Sequence, residues 1–174
     1  MTSMAIGTTG GVAELPAIGE TILALRNVSK SYGEVRAARN VNLEIPRGSI
    51  YGFLGPNGAG KTTTIRTIMN LILPDSGEIL LAGRPLDGRE RDRIGYLPEE
   101  RGLYRKMKTL DQLAYLAQLK GVPGAEAKRR AAEWLERLGL AEWSDRKVDA
   151  LSKGMQQKIQ FAATFISRPD MVIL

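Results

Sequence analysis

Eight consecutive residues, Gly55-Pro56-Asn57-Gly58-Ala59-Gly60-Lys61-Thr62, set three glycines, a cation and a hydroxyl into one short loop. The spacing is G-x-x-x-x-G-K-[ST], and each residue type has a task in it. The glycines let the backbone bend until successive N–H groups point inward at an anion. A helix beginning at the end of the loop adds the positive end of its dipole. Lys61 supplies a charge for the outer phosphates of a nucleotide, and Thr62 a hydroxyl for the Mg²⁺ that bridges them. Gly55, Asn57, Gly58, Gly60, Lys61, Thr62 and Thr63 are therefore candidate binding residues, with Lys61 also the candidate catalytic cation and Thr62 a candidate metal ligand. The plain alternative is a glycine-rich turn carrying a surface lysine, and the elements on either side argue against it.

Those elements must hold the loop. Residues 49–54, SIYGFL, are apolar enough for a buried strand leading into the glycines. The stretch KTTTIRTIMNLIL follows, with Ile65, Ile68, Met69 and Ile72 at helical spacing. Upstream, Val41, Leu43 and Ile45 alternate, and breaks at Tyr32-Gly33 and Pro46-Arg47-Gly48 mark short strands joined by tight turns. Downstream, Pro74-Asp75-Ser76-Gly77 is a turn before another strand, EILLAG. The middle is helical: Thr109 with Gln112 fits a capping box ahead of Leu113, Leu116, Ala117 and Leu119, and Gly121 and Pro123 stop that helix. A second helix spans about 125–138, with Ala131, Trp134, Leu135 and Leu138 inward and Gly139 closing it. Ser152 caps a third through GMQQKIQFAATFIS, and MVIL at the end reads as a buried strand. The fold class is α/β, with a small antiparallel β portion near the start and a helical subdomain at about 105–152. Residues 1–20, mixing Gly, Thr, Ala and Pro without periodicity, read as a flexible leader.

Composition narrows the chemistry. The 174 residues contain no cysteine and no histidine, which excludes thiolate metal sites, disulfides and imidazole bases on this chain. The net charge is +6, with basic and acidic residues interspersed. No apolar run approaches the ~20 residues of a membrane-spanning helix.

A phosphate loop alone says only that a nucleotide binds. Four stretches together resemble the nucleotide-binding domain of ABC transporter ATPases. They are VSKSYG with Tyr32, the loop with its lead-in LEIPRGSIYGFLG and the later PDSGEILLAG, IGYLPEERGLY, and LSKGMQQKIQF. The resemblance implies a P-loop ATPase core that binds ATP and Mg²⁺. Tyr32 would stack on the adenine. Glu99 would stand where the family has a glutamine touching Mg²⁺ and the attacking water, which makes it a candidate catalytic and metal-binding residue. Ser152 and Gly154 would close over the γ-phosphate held by a second subunit, although Lys153 and Met155 depart from the family signature. EERGLYRKMK looks like a bacterial subgroup that includes sodium-extrusion exporters.

The resemblance further implies a membrane-spanning permease as partner, a second nucleotide-binding domain, a place on the cytoplasmic face of the membrane, and no nucleic acid. In the family an Asp-Glu pair and a switch histidine follow the strand at which this chain stops. The chain is therefore expected to be C-terminally incomplete, and as written to bind nucleotide with slow or absent turnover. Two alternatives stay open: a nonhydrolytic nucleotide-binding fragment, and a soluble ABC ATPase that acts without a permease.

Overall fold

The computed structural model describes residues 20–88, 90–98 and 102–174. The leader expected over 1–20 lies outside them, Glu20 excepted, as do Glu99 and Glu100.

Two long strands begin the fold: β1, Thr21–Tyr32, and β2, Val35–Pro46. They pair antiparallel from Thr21 opposite Pro46 to Tyr32 opposite Val35. Gly33, at φ 57°, takes the left-handed turn between them. These twelve-residue strands replace the short ones expected, because irregularities in the ladder let the strands bend without ending. β3, Ser76–Leu81, lies on the other side of β1, with Leu23 opposite Leu81 and Leu25 opposite Ile79. β4, Arg84–Pro85, completes a four-stranded sheet in the order β2-β1-β3-β4. The central place of β1 accounts for the burial of Leu23, Leu25 and Val28.

Helix α1, Lys61–Ile68, sets Ile68 and Met69 against these residues, with Leu81 and Ile94, in a first core. It is shorter than its apolar spacing suggests. Ile72 falls beyond the helix, where Asn70 at φ 51° turns the chain away. β5, Ile94–Tyr96, and β6, Met171–Ile173, form a separate parallel pair, Ile94 opposite Met171. The crossover between them is helical, as parallel pairing requires: α2, Thr109–Leu119, α3, Gly124–Arg137, and α4, Lys153–Phe165. Leu113, Ala117, Ala127, Ala131, Leu135, Val148, Ile159, Ala162 and Ile166 make a second core. Each fully buried leucine contributes about 2 kcal/mol through its removal from water.

The two bodies meet at β5. A Cβ on Gly95 would come within 2.6 Å of the Thr164 carbonyl oxygen at the end of α4, so strand and helix approach at a distance that only glycine allows.

Three further expectations are corrected. Residues 49–54 form no strand. Ile50 is 97% exposed and Leu54 83%, because β5 and β6 pair with each other and no described strand offers this segment a ladder. The capping box at Thr109 does not form. Thr109 is already the first helical residue, its hydroxyl donates to the Arg146 carbonyl, and the Gln112 side chain accepts from the Tyr104 amide. The terminal MVIL does supply strand β6, but half-buried, with Leu174 exposed.

Candidate phosphate-binding site

The loop at 55–62 is shaped by its glycines. Gly58 and Gly60 take φ angles of 81° and 82°, a region in which a side chain is strained. Gly60 is constrained twice, since a Cβ there would lie 2.0 Å from the Ala37 carbonyl oxygen of β2. The loop thus closes directly against the hairpin. Gly60 is also the N-terminal cap of α1, and no side chain caps that end. The first amides of a helix have no partner within the helix. Here those of Lys61, Thr62 and Thr63 stand at the mouth of the loop. Thr64 and Thr67, both buried, return their hydroxyls to the carbonyls of Gly60 and Thr63, whereas Thr62 is exposed and Thr63 half-buried at the start of the helix.

Lys61 completes the arrangement. Its ammonium donates to the carbonyls of Gly55 at 2.5 Å and Pro56 at 2.8 Å, folding the side chain back across the loop. Carbonyls are weak partners for a full charge compared with phosphate oxygens. The cation is held in place by groups that an anion can replace. A Cβ on Gly55 would meet the Ala59 side chain at 3.4 Å and the Lys61 stem at 3.9 Å, and Asn57 is exposed.

Tyr32 stands at the turn end of the hairpin, 48% exposed, with the Lys30 ammonium 5.9 Å from its ring centroid. Lys30 in turn pairs with Asp75 at 2.7 Å, and this pairing, with the Ser31 amide, holds the Asp75 carboxyl below its ordinary range. The Gly60–Ala37 contact brings the same end of the hairpin to the loop. The structure therefore gathers Gly55, Asn57, Gly58, Gly60, Lys61, Thr62 and Thr63 at one place and sets the hairpin beside it.

Ser152 and Gly154 belong to the other body. Ser152 caps α4, its hydroxyl accepting from the Met155 amide at 3.2 Å, as expected from the sequence. Gly154 is exposed, and a Cβ on it would meet nothing. Glu99 lies outside the described residues. Among those described, no group of three or more acidic residues is placed to hold a metal ion.

Sequence reasoning missed an ion-pair frame behind the loop. Asp170, at the foot of β6, accepts from Arg93 Nε at 2.7 Å and from Arg47 Nη1 at 3.2 Å, and its amide donates to the Arg93 carbonyl. Arg93 also pairs with Glu90. These contacts push the Arg93 guanidinium up and the Asp170 carboxyl down, Arg93 being the main cause of the latter. Arg47 sits in the turn ahead of residues 49–54, so the frame ties that turn to the foot of β6. The three residues are far apart in sequence, and no local pattern marks them. Ala37 was also missed, since a backbone carbonyl leaves no trace in residue type.

The family described as ABC transporter matches residues 38–174. The chain is 46% identical over 153 residues to the Bacillus subtilis uncharacterized ABC transporter ATP-binding protein YhaQ, covering 88% of this chain and 51% of that one. Among solved structures, an ATP binding subunit of ABC transporter superposes with a TM-score of 0.77 at 32% identity, over 87% of this chain and 65% of that one. The cbiO1 protein from Clostridium perfringens, part of the ABC transporter complex cbiONQ, superposes with a TM-score of 0.74 at 26% identity, over 88% and 64%. The chain spans about half the length of the curated relatives it matches.

Proposed function

Because this chain belongs to the ABC transporter family of ATP-binding proteins, we propose that it binds ATP at residues 55–63 as part of a protein whose ATP hydrolysis drives transport through a membrane permease. The observation that carries the proposal is the Lys61 ammonium on the Gly55 and Pro56 carbonyls, beside the leading amides of α1.

The residues divide the work by position. Phosphate oxygens entering the loop replace the two carbonyls as partners of Lys61, a stronger pairing because the acceptor is charged. The amides at the start of α1 are set in place by the helix before the ligand arrives, so the exchange of partners by Lys61 is the main rearrangement that binding requires. The Thr62 hydroxyl, at the first turn, is placed to reach Mg²⁺. When bound, that ion offsets charge on the transferring phosphoryl group. The donors suit such a site: hydroxyl and phosphate oxygens are hard ligands, and the described residues offer no competing acidic cluster. Tyr32 gives the base a ring to lie on, with Lys30 beside it. Glu99 is assigned to orient water and metal.

A second nucleotide-binding domain completes the site. Ser152 and Gly154 lie on the second body at an exposed helix start, open to a sister copy bringing its own phosphate loop. The permease is assigned to the cleft of about 500 Å³ between the two bodies, where Leu71, Tyr96, Leu97, Leu116 and Leu119 surround Lys120. Leu97 and Pro98, which lead directly to Glu99, line it, so an occupant there would touch the segment carrying that carboxylate. Through the permease the protein would lie at the cytoplasmic face of the membrane.

The test uses the full-length protein with ATP and Mg²⁺, followed by equilibrium nucleotide binding and sedimentation. Lys61→Ala is expected to weaken nucleotide binding about 10- to 100-fold, as for the loss of a hydrogen bond to a charged group, and to abolish ATP-dependent dimerisation. Unchanged nucleotide affinity in that variant would overturn the assignment.

A further inference from the structure

The net charge of +6 is not spread over the molecule. Residues 104–168 hold thirteen Lys and Arg against seven Asp and Glu, while the rest of the chain holds twelve of each. The whole excess therefore belongs to the helical body.

Within that body the cations have a focus. Residues 105–110 and 144–149 run antiparallel as a short ribbon. Thr109 N donates to Arg146 O, Leu110 N to Ser144 O, Val148 N to Met107 O and Asp149 N to Arg105 O. Lys108 lies opposite Lys147. Thr109 and Val148 turn into the core, while Arg105, Lys106, Lys108, Arg146 and Lys147 are exposed. Two carboxylates share the ribbon and both are engaged, Asp149 by Lys106 and Asp145 by Lys108, each at 2.8 Å. Arg105, Arg146 and Lys147 have no carboxylate within ion-pair distance among the described residues.

The ribbon begins at an apolar margin. Tyr104, immediately before Arg105, meets Tyr115 of α2 edge to face at 5.6 Å, and Leu119 follows one turn along. All three side chains are exposed, Leu119 to 57%. Tyrosines with a polar tip beside lysines on flexible stems are the composition that settles at a lipid headgroup layer.

We propose that the ribbon carrying Arg105, Lys106, Lys108, Arg146 and Lys147, with Tyr104 and Tyr115 at its edge, is a contact surface for anionic lipid headgroups. The contact does not depend on the phosphate loop at 55–63, which lies on the other body, nor on Ser152 and Gly154, which lie outside the ribbon. Cations near an anionic bilayer are each worth about 1 kcal/mol, and salt screens them.

Flotation of the full chain with vesicles tests this. Vesicles of phosphatidylcholine containing about one third phosphatidylglycerol are expected to retain the protein at low salt. Vesicles of phosphatidylcholine alone are expected not to retain it, and 0.5 M NaCl should release it. The triple variant Arg105→Glu, Arg146→Glu, Lys147→Glu should lower the partition coefficient on the order of 10²-fold, with its thermal midpoint and nucleotide affinity kept. Lys61→Ala should bind nucleotide about 10- to 100-fold more weakly and still float. The proposal is overturned if neutral and anionic vesicles bind alike, if the triple variant floats like the parent, or if duplex DNA or RNA captures the protein through the same cations in preference to vesicles.

Discussion

Gly60 and the Ala37 carbonyl lie so close that a Cβ on the glycine would stand 2.0 Å from the oxygen. Gly60 also holds φ at 82°. One residue thus joins the loop to the hairpin and starts α1. Gly60→Ala must pay for both the left-handed backbone and the clash, about 2 kcal/mol or more together. Urea unfolding should show that loss, and nucleotide binding should fall with it. An alanine variant with the parent's midpoint and affinity would refute the contact.

The Asp170 carboxylate holds Arg93 and Arg47 on separate oxygens. The groups are partly exposed, so Asp170→Asn is expected to cost only about 1 kcal/mol. A double-mutant cycle with Arg47→Ala should reveal coupling, because the pair shares one carboxylate. Simple additivity of the two substitutions would show that the turn before the loop is held by other means.

Removing the Ser152 hydroxyl frees the Met155 amide that it caps. Ser152→Ala should lower stability by about 1 kcal/mol, and Ser152→Thr should restore most of it. If Ser152 also meets a nucleotide across a dimer, threonine would rescue the midpoint without fully rescuing ATP-dependent association. Parallel melting and sedimentation experiments separate the two roles.

Glu126 accepts from Arg129 and Arg130, which pull its carboxyl from 4.5 to about 2, Arg129 being the larger cause. Its folded value is depressed, so its contribution to stability is present above pH 4.5 and is lost as pH falls from there toward 2. Arg130 also donates to the Ile166 carbonyl at the end of α4, which ties the pair to helix packing. Unfolding midpoints measured across that window should fall less steeply for Glu126→Gln than for the parent. Equal slopes would exclude the pairing.

What the sequence revealed follows the range of the interactions. The loop at 55–62, the Ser152 cap and the Gly139 stop, at φ 67°, are set by neighbours within a few residues, and all were readable. Thr109 misled because its hydroxyl answers to Arg146, thirty-seven residues away, and the local capping pattern lost to that tertiary bond. The stretch 49–54 misled because apolar composition reports a wish for burial and says nothing of which strand will supply the ladder. The Asp170 frame and the Ala37 seat could not be read at all, since one spans the chain and the other is made by the backbone. Glu99, and with it the suggested subgroup, sits at a place the described residues do not reach.

Because the buried side chains sort into two clusters joined at the tight crossing of Gly95 and Thr164, the chain has two reservoirs of cooperativity with a narrow bridge. Amide hydrogen exchange should accordingly show two families of protected sites with different opening free energies, and Gly95→Ala should loosen the link between them. Denaturant would then release one half while its neighbour still resists.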